Sequence, residues 1–188
     1  SKQLNVFNWA NYTGPTTISD FKEEFKRQKQ IPVRVNFDNY SSNEELMQKL
    51  RTGVTAYDVI FPSSYFVSKM VKRNMLAPLN FQNIPHITNL ESRFLKREFD
   101  PENKYTIPYQ WGTVGIAINT EKVTETVDSW DILWNEKYKG KIVLLDDARS
   151  GVLPAQKKLG FSINTIVPEE LNKIKELMIE QKQYVQSY

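Results

Sequence analysis

The pattern of apolar residues predicts an α/β fold of two lobes, with mostly parallel sheets and flanking helices, for this chain of 188 residues. Runs rich in Val, Ile and Phe alternate with amphipathic stretches. The alternation fades between residues 81 and 104 into a connection rich in Pro, Asn and charge, and then restarts. The division expected is a first lobe over 1–107 and, over 108–188, a hinge crossing and the first part of a second lobe left incomplete.

"LNVF" at 4–7 reads as the first strand, which puts Trp9 and Tyr12 on the loop "NWANYTG" beyond it. "TTISDFKEEFKRQ" follows as a helix behind Pro15, with Ile18, Phe21 and Phe25 at helical spacing. "IPVRVNFDNY" is a second strand. In "SSNEELMQKLRTG", Ser42 with Glu45 matches a capping box and Gly53 stops the helix. "YDVIF" at 57–61 is a third strand closed by Pro62, and "SYFVSKMVKRN" continues as a helix. "YTIPYQWGTVGIAIN" supplies two extended pieces split by Pro108 and "WG", which fit a crossing between lobes and equally a hairpin within a single domain. Beyond it come a short helix in "VDSWDILWNEKYKG", a buried strand "KIVLL" and the loop "DDARSG" at 146–151. A helix around "VLPAQKKLG" and an amphipathic helix from Pro168 complete the series. Trp130 and Trp134 stand at i, i+4 and read as a packing pair.

Composition narrows the function. Hydrophobic residues make up 40% and charged residues 25%, enough for a core without metals or disulfides. The 25 Lys and Arg against 22 Asp and Glu give +3, but the basic residues are scattered among acidic ones, as on solvated helix faces, and do not form a nucleic-acid surface. The absence of cysteine removes thiol catalysis and Cys-ligated zinc, and the single histidine, His86, has no second histidine to pair with. No metal or cofactor is expected. There is no glycine-rich phosphate loop, no paired-histidine zinc motif and no Gly-x-Ser-x-Gly elbow. The sequence has no apolar run of membrane-spanning length, and "SKQLNV" lacks the architecture of a signal peptide. The enzyme alternative left is a carboxylate glycosidase using Asp146 or Asp147 with a second acid, and aromatic rings as sugar platforms.

Ligands of an open parallel sheet bind beyond the carboxyl ends of its strands, where "NWANYTG", "PSSYF" and "DDARSG" are expected. Trp9 there is either a cap over the core or a ligand platform, and Tyr12 and Tyr65 are either rim packing or cleft walls. Ser63 and Ser64 are placed to cap the next helix, and Asp146 and Asp147 to make a turn and a cap. A helix N-terminus prefers anions, so these loops also suit an amino acid or another carboxylate.

Taken in order, "LNVFNWANY", "NYSSNEELMQKL", "YDVIFPSSYFVSKM", "YTIPYQWGTVGIAIN", "SWDILWNEKYKGKIVLLDDAR" and "KKLGFSINT" resemble the spermidine/putrescine-binding proteins of bacterial ABC importers. The resemblance implies a periplasmic-binding-protein-like fold whose two lobes close on a polyamine, a membrane permease as partner, and a location in the periplasm or at the outer face of the cytoplasmic membrane. It implies that Trp9 and Tyr12 flank the ligand, that Ser63 and Tyr65 contact it, and that Asp147 meets an ammonium group. It also implies that the sequence is the first half to two thirds of such a protein, with an incomplete lobe prone to self-association. Asn11 stands where the family has an acidic residue, and Ser150 where it often has glutamate. Both changes remove negative charge, which opens the site to a shorter diamine, another cation or an uncharged solute.

Overall fold

The computed structural model describes residues 2–53 and 56–188; residues 1, 54 and 55, which fall in the expected first lobe, lie outside them. The chain divides into two units, Ser1–Gly112 and Thr113–Tyr188.

The first unit is built on strands β1 (Lys2–Trp9), β2 (Val33–Tyr40) and β3 (Val59–Ile60), in the order β2-β1-β3 and all parallel. Helices α1 (Thr17–Lys29), α2 (Asn43–Thr52) and α3 (Ser64–Lys72) connect or follow them. β1 pairs with β2 from Lys2 opposite Val33 to Trp9 opposite Tyr40. It is therefore twice the expected length, and Trp9 ends the strand instead of sitting on the loop. The extra length is sustained by polar side chains: Asn5 accepts from Asn36 at 2.8 Å and donates to the Ala56 carbonyl at 2.9 Å.

β3 is shorter than the expected 57–61. Tyr57 stacks on Phe7 at 4.6 Å, and the Asp58 carboxylate takes the Asn5 backbone N–H at 2.7 Å, where a ladder carbonyl would otherwise accept. The core is Phe7, Tyr40, Leu46 from α2 and Met70 from α3. On α2, Ser42 Oγ accepts from Glu45 N at 3.2 Å, but the Glu45 carboxylate turns back to Ser41. Gly53 ends the helix at φ 63°, a left-handed conformation natural to glycine. α1 buries no residue: Ile18 and Phe25 are half-buried and Phe21 is exposed.

Residues 81–94 hold three short 3-10 turns, Phe81–Asn83, Pro85–Asn89 and Ser92–Phe94. The next loop is knit round the buried Asp100, whose carboxylate accepts from the backbone of Lys104, Tyr105 and Thr106 and from Thr106 Oγ at 2.8 to 2.9 Å. Among the described residues no strand forms over 105–119, where two extended pieces were expected. Pro108 has no donor for a ladder, and β1 already has a partner on each side.

The second unit has two 3-10 turns, Trp130–Trp134 and Glu136–Tyr138, in place of the expected short helix. It continues through β4 (Ile142–Val143), α4 (Ala148–Lys158), α5 (Pro168–Gln181) and β5 (Val185–Ser187). "KIVLL" shrinks to two paired residues: Ile142 is buried, but Val143 is 66% and Leu145 59% exposed, so the strand is not the buried one expected. Its parallel partner β5 escapes the sequence because "VQS" carries no apolar run. Trp134, Ile142, Ala155, Ile174 and Tyr184 form the core, and Trp134 Nε1 donates to the Leu177 carbonyl at 3.2 Å.

Candidate functional site

A 2-1-3 strand order reverses direction between β1 and β3, and such a switch point opens a crevice at the carboxyl ends of the strands. Trp9 and Phe61 stand there, at the ends of β1 and β3. Trp9 Nε1 donates to the Phe61 carbonyl at 2.8 Å, and the Tyr40 hydroxyl donates to the same oxygen. The Trp9 ring lies 4.7 Å from Tyr40 and 6.0 Å from Tyr12. The core-cap reading of Trp9 matches its contact with the buried Tyr40, and the half-buried ring continues toward Tyr12, which is 43% exposed. Burial pushes the Tyr40 phenol well above its ordinary range, so it stays a neutral donor.

Polar side chains hold the first loop. The buried Asn8 accepts from Trp9 N at 2.8 Å and donates to Thr13 Oγ1 at 3.2 Å. Asn11 has φ 62°, a left-handed conformation that asparagine adopts more readily than most residues. The Tyr109 hydroxyl donates to the Tyr12 carbonyl, and the Tyr109 ring meets Phe61 edge-on at 4.7 Å.

At the β3 exit, Ser63 occupies the N-cap position of α3, yet its side chain makes no capping hydrogen bond. This departs from the simple capping expectation. Its Oγ instead accepts from Asn43 Nδ2 at 3.1 Å, the same nitrogen donates to the Tyr65 hydroxyl at 3.0 Å, and Ser63 N donates to Asn43 Oδ1 at 3.0 Å. Asn43 is the first residue of α2, so one buried amide ties two helix starts together. Neither residues 9–13 nor 61–65 include an acidic side chain.

In the second unit, "DDARSG" is not a loop throughout: α4 begins at Ala148, with Asp147 as its N-cap accepting from Ser150 N at 2.8 Å. The cap reading of Asp147 holds, and Ser150 is its partner through the backbone. Asp146 stays exposed. Trp9, Asn11, Tyr12, Ser63 and Tyr65 thus belong to the first unit, and Asp147 and Ser150 to the second.

Sequence reasoning missed Asn43, Tyr109 and Tyr40. The first reads as an ordinary helix-start residue and the second lies in a segment broken by Pro108. Tyr40 closes a strand like any core aromatic.

The first unit is a parallel sheet with helical crossovers and aromatic rings at its switch point, and a separate α/β unit follows it. The sequence profile described as bacterial extracellular solute-binding protein matches residues 17–188, and the chain belongs to that family. The spermidine/putrescine-binding periplasmic protein of Escherichia coli (strain K12) is 38% identical over 181 residues, 93% of this chain and 50% of that protein. The putrescine-binding periplasmic protein SpuD of Pseudomonas aeruginosa (strain UCBPP-PA14) is 34% identical over 198 residues, 98% of this chain and 52% of that one. Among solved structures, the spermidine/putrescine ABC transporter substrate-binding protein PotD of Streptococcus pneumoniae has a TM-score of 0.72 at 33% identity, covering 100% of this chain and 56% of that one. The Tp0655 (TpPotD) lipoprotein of Treponema pallidum has a TM-score of 0.84 at 29% identity, covering 100% of this chain and 57% of that one. The chain spans about half the length of the curated relatives it matches.

Proposed function

We propose that this chain is the solute-binding component of a bacterial ABC importer, binding putrescine or spermidine without turnover, and handing the ligand to a membrane permease. It works outside the cytoplasmic membrane, in the periplasm or anchored at the outer face. The observation that carries the reading is the aromatic wall of Trp9 and Tyr12 at the switch point. Aromatic faces attract ammonium groups by about 0.5–2 kcal/mol each and cover the methylene chain as well. The similarity to spermidine/putrescine-binding and putrescine-binding periplasmic proteins supports the same ligand class.

In this reading Trp9 and Tyr12 flank the amine, Ser63 and Tyr65 contact it, and Asp147 meets an ammonium group when the lobes close about the hinge. Only a ligand with contacts in both lobes shifts the open-closed balance, because a shift requires differential affinity for the closed form. With Asn11 and Ser150 in place of acids, Asp147 carries most of the negative charge, and a diamine suits the site as well as a triamine. A second reading, a carboxylate-bearing solute, is favoured by the start of α3, where Ser63 leaves the helix N-terminus without a side-chain cap. The capping role of Asp147 on α4 supports binding over a glycosidase reaction.

One carboxylate contact at about 1.5–3 kcal/mol and two or three aromatic contacts at about 1 each leave little against an association cost of at least about 4, so these 188 residues bind weakly. NMR titration tolerates weak binding. The indole N–H signal of Trp9 is expected to move with putrescine and spermidine, to stay fixed with succinate, and to lose its response in Tyr12→Ala. No movement with either amine would overturn the polyamine reading, and movement with succinate alone would establish the carboxylate one.

A further inference from the structure

The chain reaches Tyr109 from a fixed point. The Asp100 carboxylate holds the backbone of residues 104–106, and Pro108 restricts the chain just before Tyr109. From there the Tyr109 hydroxyl donates to the Tyr12 carbonyl, and its ring meets the Phe61 ring edge-on at 4.7 Å. One side chain thereby touches both the loop beyond β1 and the exit of β3, and it remains 54% exposed. Neither exit carries an acidic side chain, so attraction for a cation in this unit comes from the negative faces of its aromatic rings.

Trp111, two positions on, makes a contrast. It is 66% exposed, but the Arg93 guanidinium stands 5.7 Å from its ring and 4.7 Å from the ring of Phe94, its neighbour. That aromatic pair already has its cation, and a second is repelled. Among the described residues no lysine or arginine stands over the rings of Trp9, Tyr12 or Tyr109.

We propose that Tyr109 supplies a third aromatic face to the amine site, held in place by its hydrogen bond to the Tyr12 carbonyl. This role rests on the polyamine reading given above and adds a residue to it. A diamine has methylenes to cover beyond the ammonium that Trp9 and Tyr12 flank, and a ring beside Phe61 extends the aromatic surface from β1 towards β3. Tyr109→Leu removes that ring, Tyr109→Phe keeps the ring and removes its anchor, and neither changes the charge of the chain.

The test follows the unsubstituted chain by NMR with putrescine, and with butane-1,4-diol as an uncharged molecule of the same carbon chain. The Tyr109 ring signals and the Trp9 indole N–H are expected to move together with putrescine and to move far less with the diol, while the Trp111 indole N–H stays fixed. Movement at Trp9 with the Tyr109 ring unchanged would overturn the proposal and leave the polyamine reading standing; no movement at either would overturn both. Equal movement at Trp111, or equal movement at Tyr109 with the diol, would show a general response of exposed rings and would also overturn it. The putrescine dissociation constant, read from Trp9, is expected to rise about fivefold in Tyr109→Leu, the loss of one ring contact, with Tyr109→Phe between that variant and the unsubstituted chain. An unchanged constant in a folded Tyr109→Leu would overturn the role, and if that variant does not fold, the signals of the unsubstituted chain decide.

Discussion

The Phe61 carbonyl receives two side-chain donors, Trp9 Nε1 at 2.8 Å and the Tyr40 hydroxyl, and this sharing predicts a measurable coupling. Tyr40→Phe removes one donor and leaves the ring against Phe7 and Trp9, where the centroids are 4.8 and 4.7 Å apart. Because Trp9 still satisfies the carbonyl, the cost should be that of one hydrogen bond, about 0.5–1.5 kcal/mol. Trp9→Phe removes the other donor and adds a packing loss from the smaller ring, which also appears in the double variant and cancels in a double-mutant cycle. Only the double variant strips the carbonyl of both donors. An orphaned buried carbonyl costs about 1–3 kcal/mol, and since Phe61 is half-buried the lower part of that range applies. The double variant should therefore lose about 1–2 kcal/mol more than the sum of the single losses. Urea unfolding followed by far-UV circular dichroism gives all four corners without relying on tryptophan emission. Additivity within about 0.5 kcal/mol would refute the shared-acceptor account.

Tyr109→Phe deletes the hydroxyl that holds the Tyr12 carbonyl and should speed amide exchange across residues 10–14 while leaving the melting temperature within a few degrees; unchanged exchange there would remove Tyr109 as a brace. Asp100→Ala leaves three backbone N–H groups of the 96–106 loop without their acceptor and should destabilise the first unit by about 2–4 kcal/mol, read by urea unfolding, whereas a loss below about 1 would contradict that role. Glu125 is held at a pKa of about 2, against an ordinary 4.5, first by Lys137 and then by Tyr138. Its contribution is present above the unfolded value and is lost as pH falls through about 2, so Glu125→Gln should flatten the stability profile between about pH 4.5 and 2; an NMR titration midpoint near 4.5 would contradict this. Val143, Leu145 and Ile166 are 66, 59 and 86% exposed, and concentration-dependent self-association is expected in sedimentation; a clean monomer at high concentration would count against it.

Local patterns are legible wherever the chemistry is local. The capping signal at Ser42, the left-handed stop at Gly53 and the Asp147 cap are set by residues within one helical turn, and the alternation of Val, Ile and Phe runs with amphipathic stretches announced a parallel α/β unit before any packing was visible. Trp9 and Tyr12 were conspicuous because large rings at a strand end have few local explanations. The bounds of β1 and β3 were not legible, because they depend on what Asn36, Asp58 and Ala56 offer across the sheet. β5 exists only because Ile142 and Val143 give it a partner.

The linear order of residues was enough to specify the fold class, the caps at Ser42 and Asp147 and the presence of Trp9 and Tyr12 at and beyond the end of β1. Tertiary structure alone assigned Asn43 to Ser63 and Tyr65, 20 and 22 positions away, and brought Tyr109 to Tyr12 across 97. The physical reason is that hydrogen-bond polarity at a buried site is settled by which donors and acceptors meet once the chain has folded, and no residue carries that information in its own identity.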